Sequence, residues 1–138
     1  KCPEVKLVLG LDCDAEVLEH ARSRLRPLGN KVQFICSNFI HLPDILFSEG
    51  IEQVDGILMD LGLSSFQLEA SGRGFSFSRD ESLDMRMDLS GTVTAANMVN
   101  RLPIKRLTEL IRTYGEERWA KRIARHIYDR KKRSPILT

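Results

Sequence analysis

An acid ends an apolar stretch near the middle of the chain, and other polar side chains follow it closely. The run Gly56–Met59 leads to Asp60, after which Ser64, Ser65 and Gln67 supply two hydroxyls and an amide. In α/β proteins, ligands bind in the crevice outside the carboxyl ends of parallel strands. A carboxylate that ends an apolar strand costs free energy unless something uses it. The stretch predicts a binding crevice beside Asp60, with a cap for the following chain as the alternative.

Asp12 stands in the same relation to an earlier apolar run, residues 6–11, which is typical of a buried parallel strand. A carboxylate at such a strand end can accept hydrogen bonds from both hydroxyls of a ribose. The alternative for a lone Asp is a helix cap or a solvated loop acid. Phe39 follows a second apolar run, Val32–Cys36, and could stack on an adenine ring, although lone aromatic residues more often belong to the core.

Other catalytic and metal-binding patterns are not found in the sequence. No Gly-x-Ser-x-Gly motif occurs, and the three histidines are scattered, which argues against a serine hydrolase. The three cysteines lack Cys-x-x-Cys spacing, which indicates free thiols rather than a disulfide framework. No set of His, Cys and carboxylate residues has the spacing of metal ligands, so we predict no metal site.

Strands and helices are predicted to alternate in the first part of the chain, as in a parallel sheet covered by helices. After Asp14, a candidate N-cap, apolar residues recur at three- and four-residue steps and predict a helix. A weaker helix is predicted over Pro43–Ser48. The predicted strands are residues 6–11, 32–36 and 54–59. This pattern predicts an α/β fold.

The second part of the chain is predicted to be a loop followed by helices. Ala70–Gly91 is rich in Gly, Ser, Asp and Arg and shows no period of strand or helix, which predicts an ordered loop. A short helix is predicted over residues 94–99. A longer one is opened by Pro103 and ended by Gly115.

The last predicted helix begins with Glu116 and Glu117 in its first turn, where negative charge is favourable. Trp119, Ile123 and Ile127 are predicted to form one face of this helix, with Ala120 and Ala124 beside it and the basic residues projecting elsewhere.

The charges are divided unevenly along the chain. Residues 101–138 contain 12 Lys and Arg against 4 Asp and Glu, whereas residues 1–100 contain 9 against 15. A basic tail behind an acidic front suggests a polyanionic partner such as nucleic acid, and ordinary solvated helix faces are the alternative. No apolar run in the sequence is long enough to cross a bilayer, so we predict no membrane contact.

Several motifs occur together in this chain. They are Asp60–Gln67 (Asp-Leu-Gly-Leu-Ser-Ser-Phe-Gln), Gly72–Phe77 (Gly-Arg-Gly-Phe-Ser-Phe), Leu83–Asp88 (Leu-Asp-Met-Arg-Met-Asp), Thr94–Ala96 and Tyr114–Arg118. The combination resembles the RsmH (MraW) family of S-adenosylmethionine-dependent methyltransferases. Members of that family act on the N4 amino group of a cytidine in small-subunit ribosomal RNA. The resemblance covers nearly the whole chain.

The resemblance implies a partial class I (Rossmann-like) methyltransferase parallel sheet with a helical insertion. Residues 1–67 would form the methyltransferase core, and residues 68–138 a loop plus a helical insertion domain for substrate RNA. The family's first strand and its Gly-Gly-His turn are expected to lie outside this sequence, and the activity of this chain alone is left open. The implied location is the bacterial cytoplasm, with an organelle matrix as the alternative, and the protein would be a monomer or a homodimer.

The resemblance also implies roles for individual residues. Asp12 would hold the ribose hydroxyls of S-adenosylmethionine, Phe39 would lie against its adenine, and Asp60 and Gln67 would lie on the cofactor side of the crevice. The acceptor of the N4 proton is left open among Asp60, Ser64 and a backbone carbonyl. Substrate RNA contacts are expected from Ser65, Arg73, Asp84, Arg86, Arg118 and Arg122.

Three alternatives remain at this level. Asp84 and Arg86 could instead tie the loop together through internal ion pairs. The chain could be a non-catalytic RNA-binding or ribosome-assembly module on a methyltransferase-like fold. A nicotinamide-dependent dehydrogenase is the weakest alternative, because no residue between Ser64 and Asp88 supports it.

Overall fold

The computed structural model describes residues 5–138, which form two compact units. The first unit contains the described residues up to Phe66 together with Met87–Leu89, and the second contains Gln67–Arg86 and Ser90–Thr138. The assignment of residues 1–67 and 68–138 to a catalytic core and a substrate domain stays a prediction.

The first unit is built on two parallel strands, β1 (Val8–Asp12) and β2 (Val32–Cys36). Their register places Asp12 opposite Cys36, so both strands end at the same edge. The helix α1 (Ala15–Leu25) lies between them in the chain, because parallel strands need a long crossover connection. This arrangement confirms the predicted α/β class.

Local signals account for the helices of the first unit. The side chain of Asp14 accepts the N–H of Glu16 at 3.1 Å and caps α1, whose apolar side buries Leu18. The second helix, α2 (Leu42–Ser48), starts one residue before the predicted Pro43. Proline is well tolerated there because the first N–H groups of a helix have no partner within the helix.

The predicted third strand, Val54–Met59, is wrong. Within residues 5–138, ladder pairing joins only β1 and β2, and the chain around Val54–Met59 is assigned to no strand. Its apolar side chains are exposed, with Ile57 at 63% and Leu58 at 95%. An apolar run has the composition of a strand, but a strand also requires a neighbour that pairs with its N–H and C=O groups.

The helices of the second half are α3 (Ser65–Glu69), α4 (Ala95–Arg101), α5 (Ile104–Gly115) and α6 (Ala120–Lys131). None of the helices described in residues 5–138 has the length and apolarity that a bilayer span requires. A reciprocal cap opens α4, because Thr94 Oγ1 accepts the N–H of Asn97 at 3.1 Å and Asn97 Oδ1 accepts the N–H of Thr94 at 3.1 Å.

The start of the last helix differs from the prediction. Glu116 adopts a left-handed conformation (φ 49°) at the end of α5, and Glu117 Oε1 accepts the N–H of Trp119 at 2.7 Å. Both acids therefore precede α6 instead of forming its first turn. The fully buried residues of α6 are Ala120 and Ala124, whereas Trp119 is 55% exposed. The fully buried part of α6 is therefore the alanine pair and not the predicted face of Trp119, Ile123 and Ile127.

The loop between α3 and α4 is ordered by backbone hydrogen bonds, as predicted for Ala70–Gly91. The N–H of Leu83 donates to the carbonyl of Leu137 at 2.7 Å, and the carbonyl of Leu83 accepts the N–H of Ala96 at 2.7 Å. Asn100 makes a two-way amide pair with Ile136, donating to its carbonyl at 2.7 Å and accepting its N–H at 2.9 Å. The loop, α4 and the last described residues are thus held together.

Candidate functional site

The carboxyl edge of β1 and β2 holds the first candidate residue, Asp12. Its carbonyl accepts the N–H of Ser37, the residue after β2, at 2.9 Å. Its side-chain Oδ1 accepts the N–H of Asp14 at 2.8 Å, and the residue is half-buried. The hydrogen bond fixes the direction of a carboxylate that solvent still reaches, which suits a ligand with hydroxyl groups.

Asp14 differs from Asp12 although both follow β1. Asp14 is fully buried and serves as the N-cap of α1. A buried capping carboxylate already has backbone N–H donors and is favoured by the positive end of the helix. Of the two acids, Asp12 is therefore the better ligand candidate.

Phe39 follows β2 at the same edge of the pair. Asn38 Oδ1 accepts the N–H of Ile40 at 3.0 Å and so fixes the short turn that begins at Phe39. The Phe39 side chain is half-exposed, which leaves ring surface available for stacking on a planar ligand. Its contact with adenine stays a prediction.

Cys13 lies between these acids, and its pKa is raised above the usual value. Burial is the largest cause, and the negative charges of Asp12, Asp88 and Asp14 add to it. Asp88 therefore lies close enough to Cys13 for its charge to act there. Asp88 has no role among the sequence predictions, and its place at the end of the motif Leu83–Asp88 is its only sequence signal.

Asp60 and the serines after it lie at the end of the first unit. Asp60 and Ser65 are exposed, and Ser64 is half-buried. The ring of Phe66 contacts the ring of His20 at a centroid distance of 4.3 Å, which anchors the end of this segment to α1. The catalytic roles of Asp60 and Ser64 and the RNA contact of Ser65 stay predictions.

Two of the shallow hollows in the first unit are lined by residues other than the candidates. One is lined by α1 and β2 residues that include Arg22 and Phe34, and the other by α2 residues that include Leu46 and Phe47. Neither hollow is lined by Asp12 or Asp60. A shared crevice for these two acids therefore stays a prediction.

Gln67 opens the second unit and is buried, with 3% of its surface exposed. Its carbonyl accepts the hydroxyl of Ser71 at 2.7 Å, which turns the chain after α3. The predicted cofactor contact of Gln67 is not tested by this geometry.

Asp84 and Arg86 are brought together as a two-point ion pair. Arg86 Nε donates to Asp84 Oδ1 at 2.7 Å, and Arg86 Nη2 donates to Asp84 Oδ2 at 2.6 Å. These hydrogen bonds hold the pKa of the Asp84 carboxyl below its usual range. The third nitrogen of Arg86, Nη1, donates to the carbonyl of Gly91 at 2.6 Å. This geometry supports the alternative in which the pair ties the loop together.

Arg73 joins the same network and is 6% exposed. Its Nη1 donates to the carbonyl of Arg86 at 2.7 Å, while its own carbonyl accepts the N–H of Met85 at 2.8 Å. Met85 has a left-handed backbone (φ 58°), and a side chain at Gly74 would collide with the carbonyl of Ser82. The loop is therefore tightly folded around Arg73, and RNA contacts of these residues stay predictions.

Arg118 precedes α6 and Arg122 lies in its first turn, and both side chains are exposed. The guanidinium of Arg118 lies 5.4 Å from the centroid of the Trp119 ring, and Arg122 projects from the helix surface. Unlike Arg73 and Arg86, both are exposed.

Comparison with known proteins gives consistent matches along the chain. The model of the MraW methylase family matches residues 1–138. The chain is 50% identical over 132 residues to a ribosomal RNA small subunit methyltransferase H of Geotalea daltonii, which covers 96% of this chain and 42% of that protein. It is 46% identical over 136 residues to the protein of the same name from Parafrankia sp., which covers 99% of this chain and 41% of that protein. The chain thus spans less than half the length of these curated relatives.

Proposed function

Because the chain belongs to the MraW methylase family, we propose that the protein carrying it transfers a methyl group from S-adenosylmethionine to the N4 amino group of a cytidine in small-subunit ribosomal RNA. Relatives at 46% and 50% identity are named as ribosomal RNA small subunit methyltransferases, which favours an enzyme over a non-catalytic RNA-binding module. The structural observation that carries the proposal is the oriented, half-buried carboxylate of Asp12 at the carboxyl edge of a parallel strand pair.

The residues at this edge fit the nucleoside part of the methyl donor. Asp12 offers a carboxylate of fixed direction for the two ribose hydroxyls, and Phe39 offers a half-exposed ring for the adenine. S-adenosylmethionine, when bound, supplies an electrophilic methyl group on a sulfonium. The proposal requires the chain that ends in Asp60 to lie beside the bound nucleoside.

The cytosine amine requires help from the protein because its lone pair is delocalised into the ring. Holding N4 in line with the methyl carbon would supply much of the acceleration through orientation. As the new nitrogen–carbon bond forms and the sulfur–carbon bond breaks, N4 must release one proton. We propose Asp60, Ser64 or a nearby backbone carbonyl as its hydrogen-bond acceptor. The base would have to leave its stack to reach the site.

The proposed setting follows from the substrate. The relatives are proteins of bacteria, so we place the reaction in the bacterial cytoplasm, with an organelle matrix as the alternative. The proposed partner is small-subunit ribosomal RNA, and a monomer and a homodimer both fit the proposal.

Calorimetric titration with S-adenosylmethionine tests the cofactor half of the proposal. We expect Asp12→Ala to weaken binding roughly 10- to 100-fold, because hydrogen bonds to a charged group contribute about 1.5–3 kcal/mol. Asp44→Ala is the matched control, since Asp44 is an exposed acid of α2. Unchanged affinity of the Asp12 variant would remove Asp12 from the site.

Transfer of a labelled methyl group to small-subunit ribosomal RNA tests the catalytic half, using a protein that contains this chain. We expect Asp60→Ala to abolish transfer and Asp55→Ala, an exposed acid of the same segment, to leave it unchanged. Normal turnover by the Asp60 variant would exclude Asp60 from the mechanism.

A further inference from the structure

The turn between α5 and α6 presents two aromatic side chains to solvent. Tyr114, near the end of α5, is 82% exposed, and Trp119, just before α6, is 55% exposed. Neither ring is needed to close the contact between the helices, because Leu107, Ala120 and Ala124 are the buried residues there. Tyr and Trp are enriched at binding surfaces, because each offers both an apolar ring and a polar group.

Cationic side chains occur on the same turn and on the adjoining helix turns. The guanidinium of Arg118 lies 5.4 Å from the centroid of Trp119, a distance typical of a cation–π contact. Arg112, Lys121 and Arg122 are exposed on the adjoining turns of α5 and α6. Residues 101–138 as a whole contain 12 Lys and Arg against 4 Asp and Glu.

Exposed aromatic rings next to basic side chains favour nucleic acid over protein as the partner of this surface. The buried centres of protein–protein interfaces are depleted of charged residues, and of Lys in particular, which does not match this surface. Proteins that bind single-stranded nucleic acid combine aromatic rings, on which bases stack, with a basic surface that follows the phosphates. In double-stranded RNA the bases are already stacked on one another, so their faces are closed to such rings.

We propose that Tyr114 and Trp119 form a stacking platform for unpaired bases of RNA, with Arg118, Lys121 and Arg122 positioned for the neighbouring phosphates. The inference rests on the proposed function, because the RNA would be the ribosomal RNA that is methylated. It adds the state of that RNA, which is single-stranded where it meets this turn.

Trp119 is the only tryptophan of the chain, so its fluorescence reports directly on the platform. A short single-stranded oligocytidylate titrated into the chain should quench the fluorescence, and added salt should reverse the quenching because phosphate contacts release counterions. An RNA duplex of the same length should quench much less at equal occupancy. Equal quenching by the duplex would overturn the proposal.

Substitutions of the aromatic residues test how much stacking contributes to binding. We expect Trp119→Ala and Tyr114→Ala each to weaken binding of a dye-labelled oligocytidylate roughly 5- to 150-fold, measured by fluorescence anisotropy. Trp119→Phe should retain most of the affinity, because it keeps an aromatic ring. Phe47→Ala is the matched control, since Phe47 is an 88% exposed aromatic of α2, and it should change nothing. Tyr114 is so exposed that Tyr114→Ala should not disturb folding. The circular dichroism spectrum of the variant checks this.

Two results would contradict the platform. Unchanged affinity in both alanine variants would leave only phosphate contacts at this surface. The second result combines two measurements: sedimentation shows a dimer, and the Trp119 fluorescence of that dimer does not respond to RNA. The rings would then be assigned to the contact with a second copy of the chain. Neither result affects S-adenosylmethionine binding through Asp12, and Asp12→Ala should leave oligocytidylate binding intact, so the two proposals fail separately.

Discussion

At the scale of single residues, charge and local hydrogen bonding decide which acids are available to a ligand. Asp12 keeps a solvent-accessible carboxylate, Asp14 is buried as a cap, and Asp84 is occupied on both oxygens by Arg86. The position of Asp12 after an apolar run was enough to predict its place at a strand end. The two-point contact of Asp84 with Arg86 was left open, because two-residue spacing alone does not say whether a side chain turns inward.

The Asp84–Arg86 pair predicts an acid-dependent loss of stability. The pKa of the Asp84 carboxyl is lowered in the folded state. The contribution of the pair to the free energy of unfolding is therefore complete above the unfolded pKa of about 3.9 and is lost as the pH falls through the folded pKa. Asp84→Asn should lower the free energy of unfolding by about 1–3 kcal/mol near neutral pH and by progressively less below about pH 4. Urea titrations across this range measure the difference. Asp80→Asn, in the same loop and exposed, is the control, and a pH-independent loss in the Asp84 variant would contradict the assignment.

At the scale of elements, helices follow from nearby residues more directly than strands do. Asp14 was recognisable as a cap because a cap satisfies N–H groups only two or three residues away. Val54–Met59 has an apolar pattern, but whether it becomes a strand depends on a partner distant in sequence. The side of α6 that is buried likewise depends on the element packed against it. Ala120 and Ala124, which the sequence placed only beside the predicted face, are the fully buried residues, because small side chains let helices approach closely.

The cap of α1 gives a prediction at this scale. Asp14→Ala should lower the free energy of unfolding by about 1–2 kcal/mol, because the first turn of α1 loses its side-chain acceptor. Asp14→Asn keeps an acceptor oxygen and should lose less. Thermal unfolding followed by circular dichroism measures both, with Ser23→Ala at an exposed position of α1 as the control. Equal destabilisation by Asn and Ala would mean that the charge of Asp14, rather than its capping oxygen, is what matters.

At the scale of the molecule, much apolar surface faces water. Along one extended segment the exposed side chains include Ile57 at 63%, Leu58 at 95%, Met59 at 57% and Leu61 at 65%. Adjacent exposed apolar groups of this kind mark interaction sites or cause association. Composition alone did not reveal this exposure, because an average hydrophobic content of 42% does not say which residues are covered.

This segment should make the 138-residue chain bind anilinonaphthalene sulfonate. We expect Leu58→Ser to reduce the dye fluorescence while changing the free energy of unfolding by no more than about 0.5 kcal/mol, as is usual for a surface position. Leu28→Ser, at an exposed leucine away from the segment, is the control and should leave the fluorescence unchanged. A large loss of stability in the Leu58 variant would show that the leucine is packed against the protein.

The hydrogen bonds of Leu83 also have a mechanical consequence. The N–H of Leu83 donates to Leu137, and its carbonyl accepts the N–H of Ala96. The side-chain amide of Asn100 forms two hydrogen bonds with the backbone of Ile136. A tether attached at Thr138 in an optical trap would therefore load these bonds before any helix unravels. Breaking these bonds first would release Leu83, which is next to the Asp84–Arg86 pair. Force applied at Thr138 would therefore reach the motif Leu83–Asp88 before it unfolds a helix.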